Sequence, residues 1–232
     1  PHFDYPYAYL ADLPSKLTAT GVGRGYRADE AAEQTPPPRK EVQLRAPLFE
    51  QGEKKLTPAE IGTAHHLFMQ FCDFDVACAP NGVENELNRL AEKKILSTEQ
   101  VHAVDKRKIE RFFASDLYKT FMAENKVRRE FKFSVLVPAQ AYFPVAADAP
   151  EENVLLQGVI DCLIETRDGF VILDFKTDRI KKGGAVERAE QYRPQLAAYA
   201  RAVHEIYGRP VRACVLYFFH TGDTEWVSLD ED

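Results

Sequence analysis

Two aspartates and a lysine stand on neighbouring apolar runs of this chain: Asp161 within Val154 to Glu165, and Asp174 with Lys176 at the end of Gly169 to Lys176. Between the runs lies Thr166-Arg167-Asp168-Gly169, a composition suited to a tight β-hairpin. If Arg167-Asp168 is the two-residue loop, Asp161 falls opposite Asp174; if the loop is Asp168-Gly169, it falls opposite Lys176. Either register keeps the same face, because strand side chains repeat every second residue. Asp174 and Lys176 share that face by the same count, while Leu173 and Phe175 point to the other. The three charged groups are therefore expected to converge.

Two carboxylates held that close repel, so the hairpin needs a cation, a proton or a cationic neighbour. Mg²⁺ suits the site, since it takes hard oxygen ligands, commonly one or two carboxylates with waters and phosphate oxygens. The Lys176 ammonium would then orient an attacking water or stabilise charge growing on a phosphate. On spacing alone an Asp-x-Lys pair is as readily an ordinary salt bridge on a solvated strand. The apolar run Val171-Ile172-Leu173 before it, and a hairpin partner that adds a third charge, favour the chemical reading.

The elements that position these groups are legible in part. Thr57-Pro58-Ala59-Glu60 combines an N-cap, a proline at the first helical position and a capping-box glutamate, so a helix starts there. Its apolar stripe is expected to be Ile61, Ala64, Phe68, Phe71 and Cys72. From Asn81 to Asn125 the pattern is helical, with a second capping signal at Ser97-Thr98-Glu99-Gln100 and core candidates Ile109, Phe112 and Phe113. Val127 to Val137 alternates apolar and polar residues at the period of a half-buried strand. Gly158 suits a strand that another backbone approaches closely. A helix is expected from about Glu187 to Tyr207, ended by Gly208, with Pro194 either kinking it or marking its first turn. Two strands, Val211 to His220 and Glu225 to Leu229, follow around the turn Thr221-Gly222-Asp223.

At 232 residues, with 45% hydrophobic and 28% charged residues, the chain suits one soluble globular domain with appendages. No apolar run approaches the roughly 20 residues a membrane span needs. The start lacks an initiator Met, a basic stretch and an apolar segment, so no signal peptide is expected and the chain reads as a piece of a longer protein. Residues 1–50 have little periodicity, and Thr35-Pro36-Pro37-Pro38-Arg39-Lys40 is expected to lack regular structure, so this segment reads as an arm or linker. The cysteines Cys72, Cys78, Cys162 and Cys214 form no CxxC pair and read as buried free thiols of a reducing cytoplasm. A net charge of −6 is the wrong sign for gripping DNA by bulk electrostatics, so any DNA contact must be local.

Gly158-Val-Ile-Asp161, Leu173-Asp174-Phe-Lys176-Thr-Asp178 and Tyr192-Arg-Pro-Gln195-Leu-Ala-Ala-Tyr199 resemble, in order and spacing, the successive motifs of the RecB-type nucleases of the PD-(D/E)XK superfamily. Upstream, Gly62-Thr63-Ala64-His65-His66 resembles the family's G-T-x-x-H motif. Ile160 stands where the literal motif has proline. The resemblance implies an α/β fold with a restriction-endonuclease-like core: a central mixed β-sheet flanked by helices, with a helical insertion and an extended N-terminal arm. It divides the chain into an arm, 1–50, and a nuclease domain, 51–232, helical over about 57–125 and sheet-based over about 127–232.

The resemblance further implies that His66, Asp161, Asp174 and the main-chain carbonyl of Phe175 ligate the metal and that Lys176 is catalytic. Helical periodicity alone does not choose between His65 and His66. Glu130 stands where related nucleases carry an acidic residue, although a plain solvent-facing Glu reads as well there. Tyr192, Gln195 and Tyr199 belong to the family's helix beside the site, and Tyr199 reads equally as packing against Leu196 and Val203. The implied cofactor is Mg²⁺, for which Mn²⁺ or Ca²⁺ can substitute, with no iron-sulfur cluster because Cys214 stands alone near the C-terminus. The implied partners are DNA in single-stranded form, a helicase portion of the same polypeptide and a second subunit. No GxxxxGK[ST] stretch occurs, so ATP hydrolysis would lie elsewhere.

Overall fold

The structure, a computed structural model, describes residues 13–22, 56–147 and 152–229; the proline-rich Thr35–Lys40 lies outside them. Helix α1 (Pro58–Phe71) opens with the expected capping box: the Thr57 hydroxyl accepts from the Glu60 N–H and the Glu60 carboxylate accepts from the Thr57 N–H. Ala64, Phe68 and Cys72 are buried, but Phe71 is 42% exposed and Met69 takes its place in the core. Phe71 is the last residue of the helix, where the chain turns away.

Four short helices follow: α2 (Phe74–Ala77), α3 (Gly82–Glu92), α4 (Thr98–Ala103) and α5 (Lys106–Ala114), then a π-helical turn at Leu117–Met122. Ser97 caps α4 with Gln100 as its box partner, and Ile109, Phe112 and Phe113 are buried. The insertion builds much of the core on one face of the sheet: the Phe112 ring meets Phe175 and Tyr217 of the sheet edge-on, with centroids 5.2 and 5.0 Å away.

The sheet is mixed and six-stranded, built from β1 (Lys16–Thr18), β2 (Lys126–Pro138), β3 (Asn153–Thr166), β4 (Gly169–Lys176), β5 (Val211–Phe218) and β6 (Asp223–Val227). β2 lies antiparallel to β3 along its whole length. On the other side of β3, β4 pairs antiparallel with its C-terminal part and β1 pairs parallel with Leu155–Gln157. The segment read as an arm thus contributes a strand, too short for any period to reveal. β4 runs parallel to β5 through the crossover helix α6 (Ala185–Tyr207), which continues through Pro194 and ends at Gly208 in the left-handed conformation, φ 62°.

Each sheet face carries its own core. α1 and the insertion cover Cys162, Ile164, Leu173 and Phe175; α6 covers Leu156, Ile160, Leu163, Ile172 and Leu216. β3 changes face near Asp161, since Ile160 and Cys162 are two apart yet lie in different cores. β2 does the same, with Val127 on one side and Phe131 and Phe133 on the other. The break in alternation coincides with Glu130, which has φ 50°, a left-handed conformation that strains a residue with a Cβ.

Gly158 admits side chains, not a second backbone. A Cβ there would meet Phe133 Cζ at 2.6 Å and Tyr199 Cε1 at 3.1 Å. Both rings are held in the α6 core, so Gly158→Ala is expected to destabilise the fold by about 1–3 kcal/mol through overpacking. Urea unfolding checks this: the midpoint falls with the slope unchanged.

Candidate active site

The hairpin takes the register with Arg167-Asp168 as its loop, Thr166 pairing with Gly169 and Cys162 with Leu173. Pairing stops there. Beyond Leu173 the two strands part, and β4 continues through Asp174, Phe175 and Lys176 paired to β5. A strand end leaving its neighbour strands an N–H that must find an acceptor. The Phe175 N–H donates to Asp161 Oδ2 at 2.7 Å. Asp161 therefore sits in the fork, its side chain replacing the backbone acceptor that β3 no longer provides.

Lys176 Nζ lies 2.5 Å from Asp174 Oδ2 and donates to Gln195 Oε1 at 3.2 Å. Gln195 Nε2 in turn donates to the Tyr199 hydroxyl at 2.8 Å. The Tyr192 ring lies beneath the ammonium, 3.8 Å from centroid to Nζ, and its hydroxyl donates to Asp178. Arg188 Nε also holds Asp178, at 2.9 Å. Tyr199 both packs and polarises: its ring stands edge-on to Phe133 while its hydroxyl accepts from Gln195. α6 thus fixes the lysine from one side of the fork.

α1 reaches the fork from the other side. A Cβ on Gly62 would meet Thr177 Oγ1 at 2.7 Å, so the glycine lets α1 pass close to the end of β4. One turn later His66 Nδ1 stands 3.4 Å from Asp161 Oδ1. His65 is the structural histidine of the pair, buried, with Nδ1 donating to the Ile61 carbonyl and Nε2 accepting from the Asp105 N–H.

The electrostatics follow from burial and proximity. Burial and the neighbouring Asp161 charge raise the Asp174 carboxyl above the usual range, against the pull of Lys176. Burial also opposes ionisation of Asp161, but His66, the Phe175 N–H and Lys176 outweigh it and hold that carboxyl low. Burial alone would depress His66; the Asp161 carboxylate reverses this and raises it. Burial and the neighbouring Asp161 charge raise the carboxyl of Glu130, which is half-buried.

Among the described residues no three His, Cys, Asp or Glu side chains form a ready metal cage. The donor set nevertheless suits a hard divalent cation: two converging carboxylates, one imidazole and a buried Asp174 Oδ2 that no well-directed hydrogen bond satisfies. At present the Lys176 ammonium supplies the positive charge there. Sequence reasoning did not single out Arg188, although its place four residues before Tyr192 on α6 put both on one face. Of the cysteines, Cys72, Cys162 and Cys214 are buried free thiols, whereas Cys78 is exposed, a departure from the reading of all four as buried. Burial pushes the Cys72 thiol up to about 12.

A mixed sheet whose parted hairpin presents Asp, Asp-x-Lys and a helical His is the construction of the PD-(D/E)XK nucleases. The chain belongs to the PD-(D/E)XK nuclease superfamily, whose family model matches residues 39–228. It is 40% identical, over 94% of its length, to an ATP-dependent helicase/nuclease subunit of Moorella thermoacetica. It is 35% identical over 95% to the corresponding protein of Desulforudis audaxviator and 33% over 96% to that of Thermoanaerobacter sp. (strain X514). The chain spans only 15–18% of the length of these three relatives. Among the described residues no helix is long and apolar enough to cross a membrane.

Proposed function

We propose that this chain is the nuclease portion of an ATP-dependent helicase-nuclease of the AddA type, hydrolysing DNA phosphodiester bonds at the fork between β3 and β4. The observation that carries the reading is the convergence of Asp161, Asp174 and Lys176 there, in a member of a nuclease family. His66, Asp161, Asp174 and the Phe175 carbonyl would hold the divalent ion, Mg²⁺ with Mn²⁺ or Ca²⁺ as substitutes. When bound, that ion supplies an activated water and neutralises phosphate charge.

The chain's own residues do the rest. Lys176, steadied by the Gln195 amide oxygen and the Tyr192 ring, points a fixed cation at the place where phosphate charge grows. His66 and the Phe175 N–H orient Asp161, and Glu130 adds a carboxyl at the rim. In this reading the chain works in the cytoplasm, processing DNA double-strand ends for recombinational repair. There, a helicase portion of the same polypeptide and an AddB-like second subunit would feed single-stranded DNA to the site. The exonuclease character is tested with Mg²⁺ on matched linear and circular single strands. The linear strand is expected to be degraded and the circle spared; equal loss of both would make the activity endonucleolytic.

A further inference from the structure

The segment that joins the catalytic strand to α6 carries three cations in four positions, Arg179, Lys181 and Lys182. All three are exposed, and none has an ion-pair or hydrogen-bond partner for its side chain among the described residues. Many other cations are engaged: Arg89, Lys106, Lys108, Arg128, Arg188, Arg193 and Arg209 each face a carboxylate. Other exposed cations without such a partner are scattered: Lys93, Lys94 and Lys119 in the helical insertion, Lys132 on β2, Arg167 in the hairpin loop and Arg201 on α6. The one acid at the start of the segment, Asp178, is occupied by Arg188 and Tyr192 and does not offset the cluster.

The segment is also held in place. Ile180 is buried in the α6 core and its carbonyl meets His220 Nδ1 at 3.0 Å, while the Gly184 N–H donates to the Lys181 carbonyl. A fixed backbone therefore presents its cations on either side of an anchored isoleucine. Chain length limits how far they can lie from Lys176: about 10 Å for Arg179 and about 20 Å for Lys182. That keeps all three cations within a few phosphates of the reacting bond.

We infer that Arg179, Lys181 and Lys182 form a phosphate-gripping loop that holds the nucleic-acid strand beside the scissile bond, giving an acidic protein a local basic contact for its polyanionic substrate. The partner follows from the nuclease reading above; the grip itself is tested by binding. The triple variant Arg179→Gln, Lys181→Gln, Lys182→Gln is compared with the unmodified chain by fluorescence anisotropy of a labelled single-stranded 20-mer in chelator, where no cleavage is needed. At about 0.7 per neutralised phosphate on a single strand, the slope of log K against log salt is expected to fall by about 2, with a marked loss of affinity.

A control, Lys93→Gln, Lys94→Gln, Lys119→Gln, removes the same net charge and is expected to leave binding unchanged. An unaltered slope and affinity in the loop variant, an equal loss in the control, or no binding by the unmodified chain each overturns the inference. Because cleavage is not the readout, an inactive chain that shows the predicted change in binding would count against the nuclease reading alone.

Discussion

Replacing Asp174 with Asn is expected to abolish metal-dependent cleavage while leaving the metal-free chain at least as stable as before. The sign comes from the shift at this carboxyl. A folded-state pKa above the unfolded value means that the proton binds the folded form more tightly, so the charged carboxylate is a net burden at neutral pH. Asn removes that charge and its repulsion with Asp161. Lys176 loses its closest counter-charge but keeps Gln195 Oε1 and the Tyr192 ring. With metal the comparison reverses. Binding to the folded state alone adds about 2.7 kcal/mol at one hundred times the dissociation constant, a rise of roughly 5–10 °C in melting temperature for a chain of this size. The unmodified chain is expected to show that rise, and the variant to lose it.

Lys176→Met separates metal binding from the chemistry. Losing one fixed cation aimed at growing charge is expected to lower kcat by about 10²–10³-fold. KM should move little, since the residue acts chiefly in the transition state. The metal-induced rise in melting temperature should persist or grow, because the ammonium no longer competes for Asp174 Oδ2. Single-turnover rates and melts on the same preparation check both halves. A near-normal kcat would remove Lys176 from the reaction. A lost metal response would mean that it serves the ion-binding site.

The hairpin was legible because Val171-Ile172-Leu173 and the turn residues fix a strand and its return. The register was not, since both two-residue loops satisfy the same alternation; the structure selects Arg167-Asp168. Nor was the change of face near Asp161. Period-2 counting assumes an unbroken pleat, and the left-handed φ at Glu130 breaks it. That break matters to the site, because it lets one carboxylate in the fork be approached by α1 from one core and neighbour the α6 network of the other. The capping boxes of α1 and α4 were readable because they are local. Helical spacing put Arg188 and Tyr192 on one face, but nothing local showed that Asp178 would meet them or that Gly62 would lie against Thr177, more than a hundred residues on. Phe71 failed as a core residue for the opposite reason: its spacing fits the stripe, but the helix ends under it.

The central claim is that Asp161 and Asp174 at the fork support metal-dependent cleavage of DNA. It is tested most directly by the rate of cleavage of 5′-labelled single-stranded DNA across a Mg²⁺ titration, with the unmodified chain and Asp174→Asn side by side. The account predicts no cleavage in chelator, a saturable rise with Mg²⁺ for the unmodified chain and no cleavage at any Mg²⁺ concentration for the variant. Cleavage that persists in chelator, or a folded Asp174→Asn that cuts at a near-normal rate, would contradict it.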